Sequence, residues 1–480
     1  MKMKIKIRKT NLFICLVCLA LLFIYCKNEE KIEDEIPEVL TKKIDSIGQF
    51  YIDQHKTGAI SIAVVRGDSL LYNNAFGFAD HDQKIPVTPD HYFLMASVSK
   101  LVGTVMVMKL VEEGKLSLDQ TLAELLPDYT NLLQAGKITL RHLLSHTSGL
   151  LDYAIKLDTV YIETGKAPVR KDYMNFFAEN DLLFEPGEYY AYSNSGFKLM
   201  EFIVEKATGN KFADEIDRII NDHGDLDLKL IAERINDPLM TEYFSYSDTA
   251  LIPEEHWTWI SGDGGMTTTS AGLARFAQKW SDGTLISKKS FVKMTTPFQL
   301  NSGISSGYGL GTRTGDFEGW YTVGHTGGNE STMAMMMYFP DRDISIAVFD
   351  NTDGSPTSTL SIIGYVALAV MDREEPMHEN QTMSQLLKDS YAGFYDMYGY
   401  VTDKPDALEI YFDEEEQHMF RKYVGAQSKG QKLVFLGNDT FAIDPYMMDR
   451  LEFVRDASGN VVAYRNYWNG LFQRMGFKAD

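Results

Sequence analysis

The sequence predicts an α+β fold with a small all-β domain attached at its C-terminal end. Three observations point there. Strand-like runs stand near the start of the chain, Ala59 to Val65 and Leu70 to Tyr72, and return much later at Thr332 to Tyr338 and Ile344 to Asp350. Mixed helices and loops fill residues 115 to 260 between them. Beyond a charged stretch from Asp372 to Met383, short strand candidates follow one another, separated by turn residues. Strands, then helices, then strands suit one sheet completed by both ends of a domain.

The first residues are set aside from the fold. Lys2, Lys4, Lys6, Arg8 and Lys9 make a basic start, and Leu12 to Tyr25 is almost wholly apolar. A run that short falls below the ~20 residues a membrane-spanning helix needs, so residues 1–25 read as an export leader. The three cysteines are Cys15, Cys18 and Cys26. Cleavage before Cys26 leaves a chain with no possible disulfide. This boundary, followed by the acidic segment 26–36, resembles a bacterial lipoprotein signal in which Cys26 carries the lipid and the segment is a tether. The expectation is a cell-envelope protein, periplasmic or in the outer membrane, held by an N-terminal lipid anchor; an uncleaved anchor is the alternative.

The remaining chain, about 450 residues, is long enough for one large domain and a smaller one. An apolar content of 44% with 12% aromatics marks a folded body and excludes a disordered one. The net charge of -21 becomes more negative once the basic leader is removed, and such a surface repels nucleic acid.

Helical spacing begins near Val39 and runs through Ile44, Ile47 and Tyr51. Ala59 to Val65, a turn at Arg66-Gly67-Asp68 and Leu70 to Tyr72 read as a β-hairpin. An apolar helix opens at Ser97, runs to Val111 and stops at Gly114. A last helix spans Thr359 to Met371. These elements place one domain over 37–375. Runs at Leu408 to Phe412, Leu433 to Leu436, Leu451 to Phe453 and Val461 to Tyr464 place a small barrel or sandwich over 384–480.

Three short motifs carry chemistry. In Ser97-Val98-Ser99-Lys100, residues i and i+3 of a helix share a face, so the Lys100 amine can reach the Ser97 hydroxyl. A serine becomes a nucleophile when a base takes its proton, and a desolvated lysine can be that base. The helix N-terminus favours the developing negative charge. Ser290-Phe291-Val292-Lys293 matches the same pattern, but Ser97 stands out through the apolar approach Tyr92 to Met95 and the apolar helix behind it. For Ser290 an ordinary helix pair is the reading.

Tyr192-Ser193-Asn194 is the second motif. Other tyrosines also stand two residues before an asparagine, and Tyr192 differs by its setting between the Phe184-Glu185-Pro186-Gly187 turn and an amphipathic helix. A tyrosine near a serine and a lysine can shuttle protons, and the Asn194 amide can bind a substrate or orient the lysine. The third is Gly324-His325-Thr326-Gly327-Gly328, whose glycines allow backbone to approach a substrate closely. The N–H groups of Gly328 and Ser97 can together form an oxyanion hole.

The order of these motifs resembles the serine β-lactamase and penicillin-binding-protein superfamily, in its class C β-lactamase, esterase and D-aminopeptidase branch. Ile138 to Leu150 and Gly264-Gly265-Met266 resemble family segments between the motifs, and the likeness covers about residues 40 to 372. It implies a β-lactamase/transpeptidase-like fold, an antiparallel sheet flanked by helices plus a helical subdomain. It also implies a serine hydrolase acting through an acyl-enzyme on an ester, amide or D-amino-acid peptide, with Ser97, Lys100 and Tyr192 catalytic. Asn194, His325, Thr326 and Gly328 are then substrate-binding, and Cys26 is lipidated. The expected partner is a small-molecule or peptide substrate, with no cofactor and no metal.

Two features depart from the family pattern: a long stretch at 211–235, and His325 where many β-lactamases carry lysine. The histidine resembles the esterase and peptidase members. Two other readings are weighed. His142 and His146, spaced i and i+4, suggest a metal site, but the glutamate of the zinc helix motif and a third ligand are missing. A non-catalytic binding or sensor lipoprotein would keep the fold, yet the three matched catalytic side chains are all present. A true β-lactamase is a further alternative.

Overall fold

The computed structural model describes residues 37–479 except 56–57, 130, 133, 243, 246–257, 330–331, 354–358, 399–405 and 446–447. The leader, Cys26 and the tether lie outside the described residues.

One antiparallel sheet organises the larger part of the molecule. Its strands are β1 (Ala59–Arg66), β2 (Ser69–Asp80), β3 (Arg313–Phe317), β4 (Trp320–Gly328), β5 (Met333–Phe339) and β6 (Ile344–Asp350), in the order β3-β4-β5-β6-β1-β2. The register sets Val64 opposite Ile346 and Met337 opposite Ile346, so the first hairpin and the last strands meet at the centre. Helix α1 (Glu38–His55) covers one face together with a C-terminal helix, Thr359–Val370. The other face packs against Ser270–Asp282 and the helical region. Covering both faces explains why β1 and β6 read as continuous apolar runs with no alternation. Ser61 is the buried polar exception in β1, and its hydroxyl shares a 2.8 Å hydrogen bond with Ser270.

The helical region holds the long buried helix α2 (Ser99–Glu112) and, beside it, α3 (Ser195–Thr208). Local sequence sets their ends: α3 stops where Gly209 turns left-handed at φ +76°, and the Ser270–Asp282 helix starts where the Thr269 side chain accepts from the Gly272 N–H. The stretch 211–235 folds as a helix, Phe212–Ile219, followed by a short strand and a short helix that lie against Met266–Thr268.

Beyond 392 the described residues form eight strands: Gly393–Met397, Asp406–Asp413, His418–Tyr423, Gln431–Gly437, Thr440–Ile443, Arg450–Arg455, Val461–Trp468 and Leu471–Lys478. Each pairs with the next, and the first pairs with the last, at Tyr395 opposite Lys478, so the sheet closes into a barrel. Four of these strands escape the sequence pattern. His418–Tyr423, for example, carries only two fully buried side chains among polar ones, Met419 and Phe420. The barrel is stitched to the larger sheet through β3. Leu471 pairs with Gly315, where any Cβ would meet the Gly470 carbonyl oxygen at 1.7 Å. Arg450 also reaches Glu318 at 2.5 Å.

Ile346 is fully buried at the centre of the sheet. Ile346→Ala is expected to cost about 2–5 kcal/mol, seen as a lower urea midpoint with the denaturant slope unchanged.

Candidate active site

Ser97 sits where three elements converge. Strand Phe93–Leu94, paired with Met266–Thr268, delivers the chain to a 3₁₀ turn at Ala96–Val98, which runs straight into α2. Ala96 is held at φ +44°, a costly conformation for a residue with a Cβ, and this bend turns the nucleophile outward. From Phe93 to Lys100 only Ser97 keeps access to solvent. Behind it the Ser99 hydroxyl accepts from the Met266 N–H at 3.1 Å and pins the turn. In front passes β4: a Cβ on Gly327 would lie 2.2 Å from the Met95 carbonyl oxygen and 3.0 Å from the Ser97 nitrogen. Glycine is therefore required there for the strand to approach the nucleophile.

Lys100 is fully buried, and its ammonium has three acceptors: Ser97 Oγ at 2.9 Å, Asn194 Oδ1 at 2.7 Å and the Asp263 carbonyl oxygen. Two of these cannot donate in return. When the amine is neutral, its two N–H groups satisfy Asn194 and Asp263, and the remaining lone pair is aimed at the Ser97 hydroxyl. Asn194 is itself fixed. Its backbone N–H and its Nδ2 both donate to Asp152 Oδ2, at 2.7 and 3.1 Å, which turns Oδ1 toward the lysine. Burial raises the Asp152 carboxyl to about 6, against the lowering effect of the Asn194 and Ala154 N–H groups and of Lys100.

A buried charged cluster supports this from behind. Lys198 lies 3.0 Å from Glu201 and 3.4 Å from Asp263, and Tyr153 donates to Asp263. Burial pushes the Asp263 carboxyl up, but Lys198 and Lys100 outweigh it and hold the group below its ordinary range. Asp152, Asp263 and Lys198 carry no motif of their own. The signal for them is position: Asp152 follows the Gly149-Leu150-Leu151 segment, Asp263 precedes Gly264-Gly265, and Lys198 follows Tyr192-Ser193-Asn194.

Tyr192 lies beside Lys100, whose Nζ is 5.3 Å from the ring centroid, and stacks on His146 with centroids 4.1 Å apart. His325 is placed differently from the expectation. It is fully buried behind β4, its Nδ1 hydrogen-bonding the Thr326 carbonyl at 2.5 Å and its Nε2 2.8 Å from the Tyr308 hydroxyl. A carbonyl only accepts, so Nδ1 bears the hydrogen and Nε2 accepts from Tyr308. Burial, then Arg313 and Lys100, push the imidazole well below its usual range, so it is neutral. The expected contact of His325 with substrate is thus corrected to a supporting one, because a side chain without accessible surface cannot touch a ligand. The cation at this wall is Arg313, missed in the sequence. It is buried against the rings of Tyr192 and Tyr308, with Nη1 donating to the barrel carbonyls of Phe472 and Gln473 at 2.8 and 2.9 Å.

Ser97, Tyr192, Arg313, Thr326 and Gly328 border a cavity of about 540 Å³. Its opposite wall comes from the barrel, through Met397, Trp468, Gln473 and Arg474. The Thr326 hydroxyl reaches Gln473 Oε1 at 3.4 Å. Of the two histidines spaced i and i+4, His142 Nδ1 accepts from the Thr139 N–H and His146 Nδ1 from the Ser193 N–H. His146 lies beyond the helix Leu140–Leu144, so the pair does not share a helical face. Among the described residues no group of three or more His, Cys, Asp or Glu is placed to hold a metal. Ser290, the other motif match, donates to Glu112 at 2.5 Å.

Comparison with known proteins agrees with this architecture. A family model described as Beta-lactamase matches residues 34–371. Penicillin-binding protein 4* of Bacillus subtilis (strain 168) is 28% identical over 330 residues, 65% of this chain and 72% of that protein. Esterase EstB of Burkholderia gladioli is 31% identical over 193 residues, 38% of this chain and 49%, about half, of its own length. The octameric penicillin-binding protein homologue from Pyrococcus abyssi superposes with a TM-score of 0.62 at 21% identity, covering 92% of this chain and 100% of that one. D-amino acid amidase from Ochrobactrum anthropi SV3, complexed with L-phenylalanine amide, gives 0.61 at 20% identity, over 70% of this chain and 99% of that one. At these identities the structural likeness shows the fold, a β-lactamase/transpeptidase-like α+β fold with a C-terminal all-β region.

Asp152 generates a prediction with a definite sign. Its folded-state value of about 6 lies above the ordinary 3.8, so folding takes up a proton between these two pH values. The native state is favoured at the acid end, and this contribution is lost as pH rises through about 6. Asp152→Asn should flatten that part of the stability profile in urea titrations at a series of pH values.

Proposed function

This chain belongs to the Beta-lactamase family, and from that premise we propose that it is a serine hydrolase that works through a covalent acyl-enzyme at Ser97. Ser97 Oγ attacks a substrate carbonyl while its proton passes to Lys100. The observation that carries this reading is the pair of fixed acceptors, Asn194 Oδ1 and the Asp263 carbonyl, which leaves the lysine one free direction, toward Ser97 Oγ at 2.9 Å. The N–H groups of Ser97 and Gly328 hold the oxyanion, a device worth ~3–4 kcal/mol per donor. Tyr192 returns the proton to the leaving group, and water then releases the acyl chain. Asn194 and Thr326 orient the substrate. The mechanism uses no cofactor or metal.

The substrate in this reading is an ester, amide or D-amino-acid peptide, turned over more efficiently than a penicillin or cephalosporin. The support is His325: it is neutral and buried, and so does not replace the lysine that meets a β-lactam carboxylate. Arg313 favours a second reading, true β-lactamase activity, because a permanent cation still borders the cavity. We also propose that Cys26 is acylated and ties the protein to the cell envelope. Palmitate labelling of wild type and not of Cys26→Ser is the expected result.

A fluorophosphonate probe separates the hydrolase from a non-catalytic sensor. It should add one mass at Ser97, none in Ser97→Ala, and should react ~10²- to 10⁴-fold more slowly in Lys100→Ala. Equal labelling of Ser97→Ala would sink the assignment. Comparing kcat/KM for p-nitrophenyl butyrate and nitrocefin decides substrate class. The ester should be faster, and Arg313→Gln should depress nitrocefin more than the ester; nitrocefin faster in wild type would instead support the β-lactamase reading.

A further inference from the structure

A second cavity, of about 680 Å³, lies where the barrel faces the helix Thr359–Val370, with Ser361 and Tyr365 on the helix side. Two guanidiniums border it, and both have only neutral hydrogen-bond partners. Arg421 Nε and Nη2 donate to Gln431 Oε1 at 3.0 and 2.8 Å, and Nη1 donates to Asn466 Oδ1. Arg474 Nη1 donates to the Tyr423 hydroxyl at 2.9 Å, and its guanidinium lies 5.9 Å from the Trp468 ring centroid. Neither carboxylate on the same wall hydrogen-bonds a guanidinium of the pair: Glu375 accepts from the Tyr365 hydroxyl at 3.1 Å, and Asp449 accepts from the Asn469 N–H at 3.1 Å while acting on Arg421 only through the longer-range field. Burial depresses the ionisation range of Arg421, outweighing the raising effect of Tyr464 and of the Asp449 carboxylate. Such a group is costly when left uncompensated, and a planar guanidinium fork is matched in shape by a carboxylate.

The two cavities adjoin. Met333, Met397, Trp468 and Arg474 belong to the walls of both, so Arg474 stands between the nucleophile's cavity and Arg421. The other three residues shared by the two walls, Met333, Met397 and Trp468, are apolar or aromatic. A ligand able to occupy both cavities is elongated, with a reactive carbonyl at one end, a chain along Met333 and Trp468, and an anion at the other.

We propose that this barrel-side cavity is a second binding site that takes a carboxylate at the far end of an elongated substrate whose scissile carbonyl lies at Ser97. The proposal rests on the acyl-transfer reading of Ser97. It gives the barrel a role in choosing substrates: the larger domain supplies the chemistry, and the barrel selects for length and terminal charge.

The test uses p-nitrophenyl monoesters of dicarboxylic acids of increasing chain length, each against its ω-methyl ester, with the full-length protein. At one chain length kcat/KM for the free carboxylate should exceed that of the methyl ester by about tenfold or more. Arg421→Gln should bring this ratio close to one while p-nitrophenyl acetate is cleaved as before. Gln431→Glu keeps Arg421 but places a carboxylate beside it, and should abolish the preference in a barrel whose circular dichroism is unchanged. No preference at any length, or a preference indifferent to both variants, overturns the proposal. Calorimetry of suberate with the Ser97→Ala protein does not depend on turnover, so it tests the site even if the hydrolase reading fails; binding that disappears in the Ser97→Ala/Arg421→Gln double variant supports the carboxylate site. Suberate binding that needs Arg421 yet leaves p-nitrophenyl butyrate kinetics untouched assigns the site to a separate carboxylate ligand, and overturns its assignment to the substrate's far end.

Discussion

The site depends on how one buried amine is held. Lys100 comes from the first turn of α2, yet it is positioned by groups that lie far away in sequence, Asn194 ahead of α3 and the Asp263 carbonyl in a glycine-rich turn. A buried cation must be fully hydrogen-bonded, and fixed acceptors determine which way its remaining valence points. Much of the nearby structure serves those acceptors. Asp152 turns the Asn194 amide, while Lys198, Glu201 and Tyr153 hold Asp263 in place. These groups form a layer that touches no ligand and still fixes the geometry of the one that does.

A second constraint is the close approach of β4 to the nucleophile turn. Gly327 lets the strand backbone lie against Ser97, and the same strand carries Thr326 to the cavity while burying His325 on the other side. Alternation along a strand makes this division necessary, since consecutive side chains point to opposite faces. His325 and His146 then act as neutral aromatic supports for Tyr192 and Tyr308. Charge at the cavity wall comes instead from Arg313, whose guanidinium joins the larger sheet to barrel carbonyls. The barrel is thus part of the cavity's construction.

Several features were legible in the sequence because they are local. The hairpin at 59–72, the helix behind Ser97, the returning strands at 332–350 and the last apolar helix all announce themselves through apolar runs bounded by turn residues, and the structure contains each. Ser97 and Lys100 lie within reach of each other because the 3₁₀ turn runs on into the helix and puts i and i+3 on one face. The barrel was read less completely. Strands such as His418–Tyr423 and Thr440–Ile443 are short and mixed in polarity, and closure depends on pairing between the first strand and the last.

What the sequence determined by itself was the set of reactive groups and their order along the chain, together with the elements that carry them. Tertiary structure decided which of those groups face the cavity. Arg313, Gln473 and Arg474 enter the same cavity from positions about 160 residues apart, and His325 leaves it although its neighbour Thr326 stays. The physical reason is that periodicity reports whether a side chain is buried, whereas the surface against which it is buried is set by long-range strand pairing and domain contact. No local pattern records that pairing.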